Sequence, residues 1–370
     1  MDLVSKYRPT SLEDVIGQDA AVAALRGMLR SGNVPPTVLF SGPHSTGKTT
    51  LAWILAMSAN CVQLDDSGDA CGKCPSCVKT IKAIRNGTNT ASIIEKPVSD
   101  RGIDSIRELQ KSTSYKSSHK YWFFIIDEVH NLTKQAFDAA LRLFEKPPKQ
   151  ARFILCTTEP HVLPATILSR STHYRLNAIQ PKVTAKELLF PVCKKEKAEV
   201  PNKILLQVAR SVQGHPRDAL NLLSQVIAAG ASNFDIKDMS ALITSSEVAT
   251  PYIAIQRYCT SVFEGKYGNA LLAASRVGSV EYFVGQVIQT MRLVMQSYIG
   301  NKLLDQTKEW MLKEVRVPNI DPIKPEHIEA LGQMLDICLD TQARVKTYLC
   351  DNAALVDAMT IRLVSAARSL

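Results

Sequence analysis

The residues of this chain best equipped for chemistry begin with Gly42-Pro43-His44-Ser45-Thr46-Gly47-Lys48-Thr49, which has the spacing G-x4-G-K-T. Two glycines let a backbone turn tightly against phosphate oxygens, Lys48 reaches the terminal phosphates of a nucleoside triphosphate, and Thr49 offers its hydroxyl to Mg2+. Ser45, Thr46 and Thr50 join Gly42, Gly47 and Lys48 in the candidate nucleotide-binding set. A plain glycine turn is the competing reading of the bare pattern. Cleaving such a nucleotide needs an acid to hold the metal and a base to activate water. Asp127 and Glu128, directly after an apolar run, fill those roles, with Asp127 on Mg2+ and Glu128 polarising the attacking water. An exposed Asp-Glu turn is the alternative.

The second group is Cys61, Cys71, Cys74 and Cys77, four of nine cysteines within seventeen residues. C-x2-C-x2-C lets thiolates converge on tetrahedral Zn2+ while Gly72 and Pro75 turn the chain. Four thiolates leave no open coordination position, so the site reads as structural. A disulfide framework is the alternative; no signal peptide is found, which argues for a reducing compartment. Cys156, Cys193, Cys259, Cys338 and Cys350 sit in apolar segments and read as free buried thiols.

These groups need a scaffold. Thr37–Phe40 reads as a strand and Thr50–Ala59 as a helix, which puts the phosphate loop at a helix N-terminus where amide dipoles favour anions. Tyr121–Ile126 reads as a fully buried strand and Phe153–Cys156 as another. Alternation of strands and helices over 1–177 predicts an α/β domain, a parallel sheet with helices on both faces, carrying the cysteine cluster as a small insert. From 178 onward the pattern is helical: Thr184-Ala185-Lys186-Glu187 starts one helix, Asn202–Val212 forms another, and Gly230–Asn233 is a linker. Phe283, Val287, Met291, Val294 and Tyr298 fall on one stripe, and Ile328, Leu331, Leu335 and Cys338 on another, as in the core of a bundle.

With 370 residues, 45% apolar and 21% charged, the chain has room for two or three domains. No stretch approaches eighteen apolar residues, so no membrane span is expected. A net charge of +9 favours a polyanionic partner, though charge alone is weak support for nucleic acid.

In order, the chain carries Ser5-Lys6-Tyr7-Arg8-Pro9, Val15-Ile16-Gly17-Gln18, the phosphate loop, the cysteines, and Asp127-Glu128-Val129-His130. Phe144-Glu145-Lys146-Pro147-Pro148 and Thr157-Thr158-Glu159-Pro160…Leu163–Arg170 follow. This series, covering residues 1 to about 225, resembles the gamma/tau subunits of the bacterial DNA polymerase III clamp loader, which are AAA+ ATPases. The end at Leu370 resembles the short, three-domain form of the family.

The resemblance implies domains at 1–177 (AAA+ ATPase), 178–236 (helical lid) and 237–370 (all-α collar for oligomerisation). It makes Arg170 a finger acting on ATP held by the adjacent subunit, with Ser171 where the family has cysteine. Thr158 resembles the polar sensor between phosphate and water, with Thr157 a close competitor. Arg217 resembles the second sensor, and Tyr7, Arg8, Pro9, Val15 and Ile16 resemble the segments around adenine and ribose. An ordinary packed N-terminal arm would look much the same. The family's use of helix N-termini to track DNA phosphates points to Lys134, with Thr133 as its helix cap, and to Arg101.

The implied cofactors are ATP, Mg2+ and Zn2+. The implied partners are the other subunits of a hetero-pentamer (delta- and delta-prime-like), a sliding clamp and primer-template DNA, in a bacterial cytoplasm, phage-infected cells included. Another AAA+ DNA motor, such as a branch-migration helicase, would not be expected to carry these cysteines. A catalytically silent scaffold subunit would typically lose the loop lysine. A zinc-dependent DNA-binding module with an incidental ATPase would need a basic recognition helix beside Cys71–Cys77, and none is seen.

Overall fold

Five strands of this chain form one parallel sheet in the computed structural model, which describes residues 2–97, 106, 120–145, 147–229, 250–277, 279–298, 325–347 and 352–368. The strands are β1 (Thr37–Ser41), β2 (Ile93–Pro97), β3 (Trp122–Asp127), β4 (Ala151–Thr157) and β5 (Thr172–Arg175), in the order β2-β3-β4-β1-β5. Register pairs Leu39 with Leu155, Phe124 with Phe153 and Phe40 with Tyr174.

Side chains alternate between two covered faces, so the central strands read as continuous apolar runs. Val38, Phe40, Phe123, Ile125, Ile154 and Cys156 pack on one side with α2 (Asp19–Ser31), α3 (Lys48–Ala59) and α4 (Pro75–Asn86), the helices after the short α1 (Leu3–Lys6). Leu39, Phe124, Ile126, Phe153 and Leu155 pack on the other with α5 (Lys134–Glu145) and α6 (Ala165–Arg170). Helix α3 is buried all round from Leu51 to Ala59. Burial of Leu51, Trp53, Ile54 and Leu55 stabilises its seat by about 1.5–3 kcal/mol per side chain. The phosphate loop is thus hung between a fully buried strand and a fully buried helix.

The chain then runs without a break through α7 (Pro181–Val183), a π-helical stretch Thr184–Leu189 and α8 (Phe190–Glu196). The sequence places the start at Thr184; the helix in fact begins at Pro181, which fits a first helical position because its missing N–H is an orphan there anyway. Pro191 cannot donate to the carbonyl four residues back, and the widened turns just before it accommodate that loss. Helices α9 (Asn202–Ser211) and α10 (Pro216–Ala228) follow.

The chain divides into two compact units, residues 1–197 with 214–224, and 198–213 with 225–370. The second contains α11 (Thr250–Phe263), α12 (Tyr267–Ala274), α13 (Val280–Tyr298), α14 (Pro325–Thr347) and α15 (Asn352–Ala367) around Tyr258, Phe283, Val287, Met334 and Leu363. Tyr258 bonds Thr360 Oγ1 at 2.9 Å inside that core. The stripe of α13 is buried from Phe283 to Val294. On α14 the expected stripe is off by part of a turn. Ile328 is exposed and Leu335 only half-buried, while Ala330, Leu331, Met334, Ile337 and Cys338 line the core. Spacings of three, four and three average less than the 3.6 residues of a helical turn, so the row drifts around the helix. Gly230–Asn233 lies outside the described residues, and among those described no helix is long and apolar enough to cross a membrane.

Candidate functional site

The loop from Gly42 to Gly47 leaves the carboxyl end of β1, where parallel α/β sheets gather their ligands. Its entry is fixed by Gly42 N–H, which donates to Thr157 O at 3.2 Å, and by Leu176 N–H, which donates to Ser41 O at 2.7 Å. A Cβ on Gly42 would stand 2.4 Å from Leu176 O, so only glycine fits this approach. Three features suit the loop to a polyphosphate. Lys48 is 5% exposed, and its ammonium donates to Gly42 O (3.0 Å) and Pro43 O (2.9 Å), the carbonyls of the loop itself. Burial lowers its pKa, with Glu128, Cys156 and Asp127 opposing the shift. Ser45, at φ 61°, has a buried hydroxyl with no partner. Such groups are costly until a ligand satisfies them.

The carboxylates stand at the end of β3, two strands from β1. Asp127 Oδ2 accepts from Thr49 Oγ1 at 2.8 Å, which joins the two groups expected on Mg2+. Asp127 Oδ1 accepts from Glu128 N–H at 3.0 Å. Glu128 itself occupies left-handed backbone, φ 48°, and its Oε2 accepts from Thr158 Oγ1 at 3.3 Å. Thr157, the alternative to Thr158, points the other way: fully buried, it lies 3.1 Å from His130 Nδ1 and accepts from Glu159 N–H at 3.0 Å.

The N-terminal residues Tyr7, Arg8, Pro9, Val15 and Ile16 are half-buried. Arg8 donates to Ile84 O (3.1 Å) and Thr50 Oγ1 (3.5 Å). Its pKa is lowered first by burial, with Glu95 opposing and Arg217 adding to the fall. Arg8 and Arg217 are therefore like charges within electrostatic reach of one another, an arrangement that an anion would relieve. Tyr7 donates its hydroxyl to Glu196, which also pairs with Lys6.

Arg217 is exposed in the first turn of α10. The turn before it depends on Gly214, whose φ is +76° and whose carbonyl accepts from Thr184 Oγ1 at 2.7 Å. Arg170 ends α6 and is exposed, with Ser171 Oγ bonded back to Ile167 O at 2.7 Å. Lys134 is exposed at the first position of α5, capped by Thr133 Oγ1, which accepts from Ala136 N–H at 3.2 Å. Arg101 lies outside the described residues.

The four cysteines follow α3 directly. Their sulfurs all lie within 4.8 Å of one another, close to the edge of about 3.8 Å that tetrahedral Zn–S bonds require. Cys71 N–H meets Cys61 Sγ and Cys74 N–H meets Cys71 Sγ, each at 3.3 Å. N–H bonds from Lys73 and Cys74 lower the Cys71 pKa, which favours the thiolate that a metal needs. The set fits a structural zinc ion. An antiparallel bridge, Leu64 to Ala70, closes the loop between the first two ligands, and Cys156, Cys193, Cys259 and Cys338 are free and buried as expected. Cys350 lies outside the described residues.

Three contributors escape sequence reasoning. Gln18, 4% exposed, donates to Asn177 O (2.8 Å) and Thr46 O (3.4 Å) and accepts from Asn177 N–H (3.1 Å), tying the phosphate loop to the segment after β5. Glu95, beside Lys96 in β2, accepts from the Trp53 indole of α3. His130 stands 3.3 Å from Glu128 Oε2. Gln18 and His130 stand in motifs that carry the resemblance, which was the one available signal for them.

Among known proteins, the family model described as DNA polymerase III, delta subunit, matches residues 17–180. The chain is 38% identical over 233 residues to DNA polymerase III subunit gamma/tau of Mycobacterium tuberculosis H37Rv, covering 62% of this chain and 39% of that protein. It is 31% identical over 346 residues to subunit tau of Bacillus subtilis 168, covering 92% and 59%. It is 33% identical over 242 residues to subunit tau of Escherichia coli K12, covering 65% and 37%. The chain thus spans less than two thirds of the length of each of these three relatives. Among solved structures, the Thermotoga maritima RuvB Holliday junction branch migration motor aligns at 19% identity and TM-score 0.49 over 70% of this chain and 80% of that one. With the G-K-T loop, Asp127-Glu128 and the cysteine cluster set on a parallel five-stranded sheet, the chain is a relative of the DNA polymerase III gamma/tau subunits.

Proposed function

We propose that this chain is an ATPase subunit of a DNA-replication clamp loader, in which ATP binding and hydrolysis drive the opening of a sliding clamp and its loading onto primer-template DNA. The observation that carries this reading is the convergence of Lys48, the Thr49–Asp127 pair and the Thr158–Glu128 pair at one end of the sheet. Lys48 binds the terminal phosphates, and Thr49 and Asp127 would hold Mg2+, which would supply positive charge against the reacting phosphate. Glu128 draws the proton of the attacking water, with Thr158 as its polar neighbour. Arg8 and Arg217 add positive charge at the nucleotide, and Tyr7, Pro9, Val15 and Ile16 line the base and ribose.

Arg170 is read as a finger that completes the ATP site of the adjacent subunit. A cation supplied in this way reaches the transition state only in an assembled ring. The division into ATPase domain, lid and collar at 1–177, 178–236 and 237–370 belongs to the same proposal, with the collar joining delta- and delta-prime-like partners in a hetero-pentamer. Lys134, at a helix N-terminus capped by Thr133, is the proposed contact to a DNA phosphate. Zn2+ held by the four thiolates has a structural role, and the bacterial cytoplasm, which keeps thiols reduced, suits them.

The test is hydrolysis by the unmodified chain, Lys48→Ala and Arg170→Ala, assembled with partner subunits, with and without clamp and primed DNA. Stimulation by clamp plus DNA is expected. In mixed assemblies Arg170→Ala should bind ATP normally and impair its neighbour's site. Absence of stimulation would sink the loader reading, and impairment confined to the variant's own site would sink the finger.

A further inference from the structure

His130 has no role in the reaction described so far, yet it touches the group on which the reaction depends. It sits on the turn Val129–Asn131 directly after Glu128, and its side chain is 14% exposed. Its Nδ1 is 3.3 Å from Glu128 Oε2 and 3.1 Å from Thr157 Oγ1. The same Glu128 oxygen accepts from Thr158 Oγ1 at 3.3 Å. Residues 157 and 158, which point in opposite directions from the end of β4, therefore meet again at Glu128, one directly and one through the imidazole.

The neighbours decide which ring nitrogen carries hydrogen. A bare Nδ1 lone pair would face a carboxylate oxygen at 3.3 Å and repel it. An Nδ1–H is attracted to that oxygen and to the Thr157 hydroxyl oxygen, which already accepts from Glu159 N–H. Thr157, fully buried at the end of a strand in the middle of the sheet, fixes the ring from behind. Glu128 needs such a support. It follows the last strand residue in left-handed backbone, and a glutamate side chain has three rotatable bonds to hold still.

On this geometry, and on the reading of Glu128 as the base, we infer that His130 is a positioning residue. Its Nδ1–H, braced by Thr157, holds the Glu128 carboxylate against Thr158 in the orientation that receives the proton of the attacking water. The imidazole neither donates nor takes a proton in the step. The water loses its proton to Glu128 as its oxygen attacks the terminal phosphorus and the bond to the bridging oxygen breaks. His130 acts only on where that carboxylate stands.

The test compares His130→Ala, His130→Phe and His130→Asn in the full chain assembled with its partner subunits, reading kcat and, separately, the dissociation constant of a fluorescent ATP analogue with Mg2+. Loss of the polar contact from the imidazole Nδ1–H to the charged carboxylate predicts a fall in kcat of about tenfold to a hundredfold for alanine and for phenylalanine. Analogue affinity should stay within about twofold, since His130 touches no phosphate-binding group. Asparagine places an N–H near the Nδ1 position, so it should recover kcat to within about fivefold of the unmodified chain. Phenylalanine keeps the bulk and supplies no donor, so a packing role would make it the better substitute. Three results overturn the inference: kcat unchanged in His130→Ala, Phe outperforming Asn, or affinity falling in step with kcat. Glu128→Gln separates the two levels. If it still hydrolyses ATP, the reading of Glu128 fails; if it is inactive while His130→Ala is normal, only the role of His130 fails.

Discussion

Replacing Gly214 by Ala should weaken nucleotide binding although Gly214 is not itself proposed to touch nucleotide. At φ +76° its backbone is in the left-handed region, and a Cβ built there stands 2.1 Å from Ile179 O and 3.2 Å from Pro181 N. Left-handed backbone costs alanine about 1–2 kcal/mol, and the overlap, which falls on backbone and not on a yielding side-chain tip, adds about 1–3 kcal/mol. The segment can relieve that strain by withdrawing, which strips the Thr184 hydroxyl of its 2.7 Å acceptor and carries Arg217, three residues on, away from Arg8. For a unit of this size the summed cost corresponds to a melting point lower by roughly 5–15 °C. Loss of one charged contact to phosphate weakens ATP by roughly tenfold or more. Thermal melts and titration with a fluorescent ATP analogue read both effects. Arg217→Ala is the control, with the same loss of affinity and little change in melting. Unchanged melting and affinity in Gly214→Ala would refute the argument that this turn positions Arg217.

Asp69, 3% exposed, accepts Leu12 N–H at 2.6 Å and pairs with Arg26 at 3.3 Å, so Asp69→Ala orphans a buried amide and should cost about 2–4 kcal/mol by denaturant unfolding. Glu128→Gln should bind ATP normally and lose roughly 10²- to 10⁴-fold in kcat, measured by single-turnover hydrolysis. Elemental analysis should find zinc in the purified chain, and chelation should remove it and lower the melting point; a metal-free chain with disulfides among the four cysteines would contradict the zinc reading. The Tyr7 phenol is pushed up to about 12 by burial and by Glu196. A raised pKa stabilises the protonated, folded form fully below pH 10, and that contribution fades as pH rises towards 12. Ultraviolet titration should place its ionisation there, and Tyr7→Phe should flatten this part of the stability profile.

The scaffold was legible where burial is complete. β1, β3 and β4 are covered on both faces and therefore spell out unbroken apolar runs, and the phosphate loop and the cysteines announce themselves by spacing. What stayed hidden depends on tertiary neighbours. Nothing in the sequence near Gln18 says that it will bridge Thr46 and Asn177, because its partners lie 28 and 159 residues away. Which of Thr157 and Thr158 meets Glu128 turns on one position of strand alternation, which becomes visible only once β4 is in register with β1. The π-helical turns before Pro191 and the exposed Ile328 show the same limit on helices, where an ideal period misleads as soon as geometry departs from it.

Steady-state ATP hydrolysis by the assembled chain, titrated with sliding clamp and primed DNA, bears most directly on the central claim. The account predicts that clamp and primed DNA together raise the rate above that of the chain without them, and that Lys48→Ala abolishes both basal and stimulated turnover. A rate indifferent to clamp and DNA, or one that survives Lys48→Ala, would contradict it.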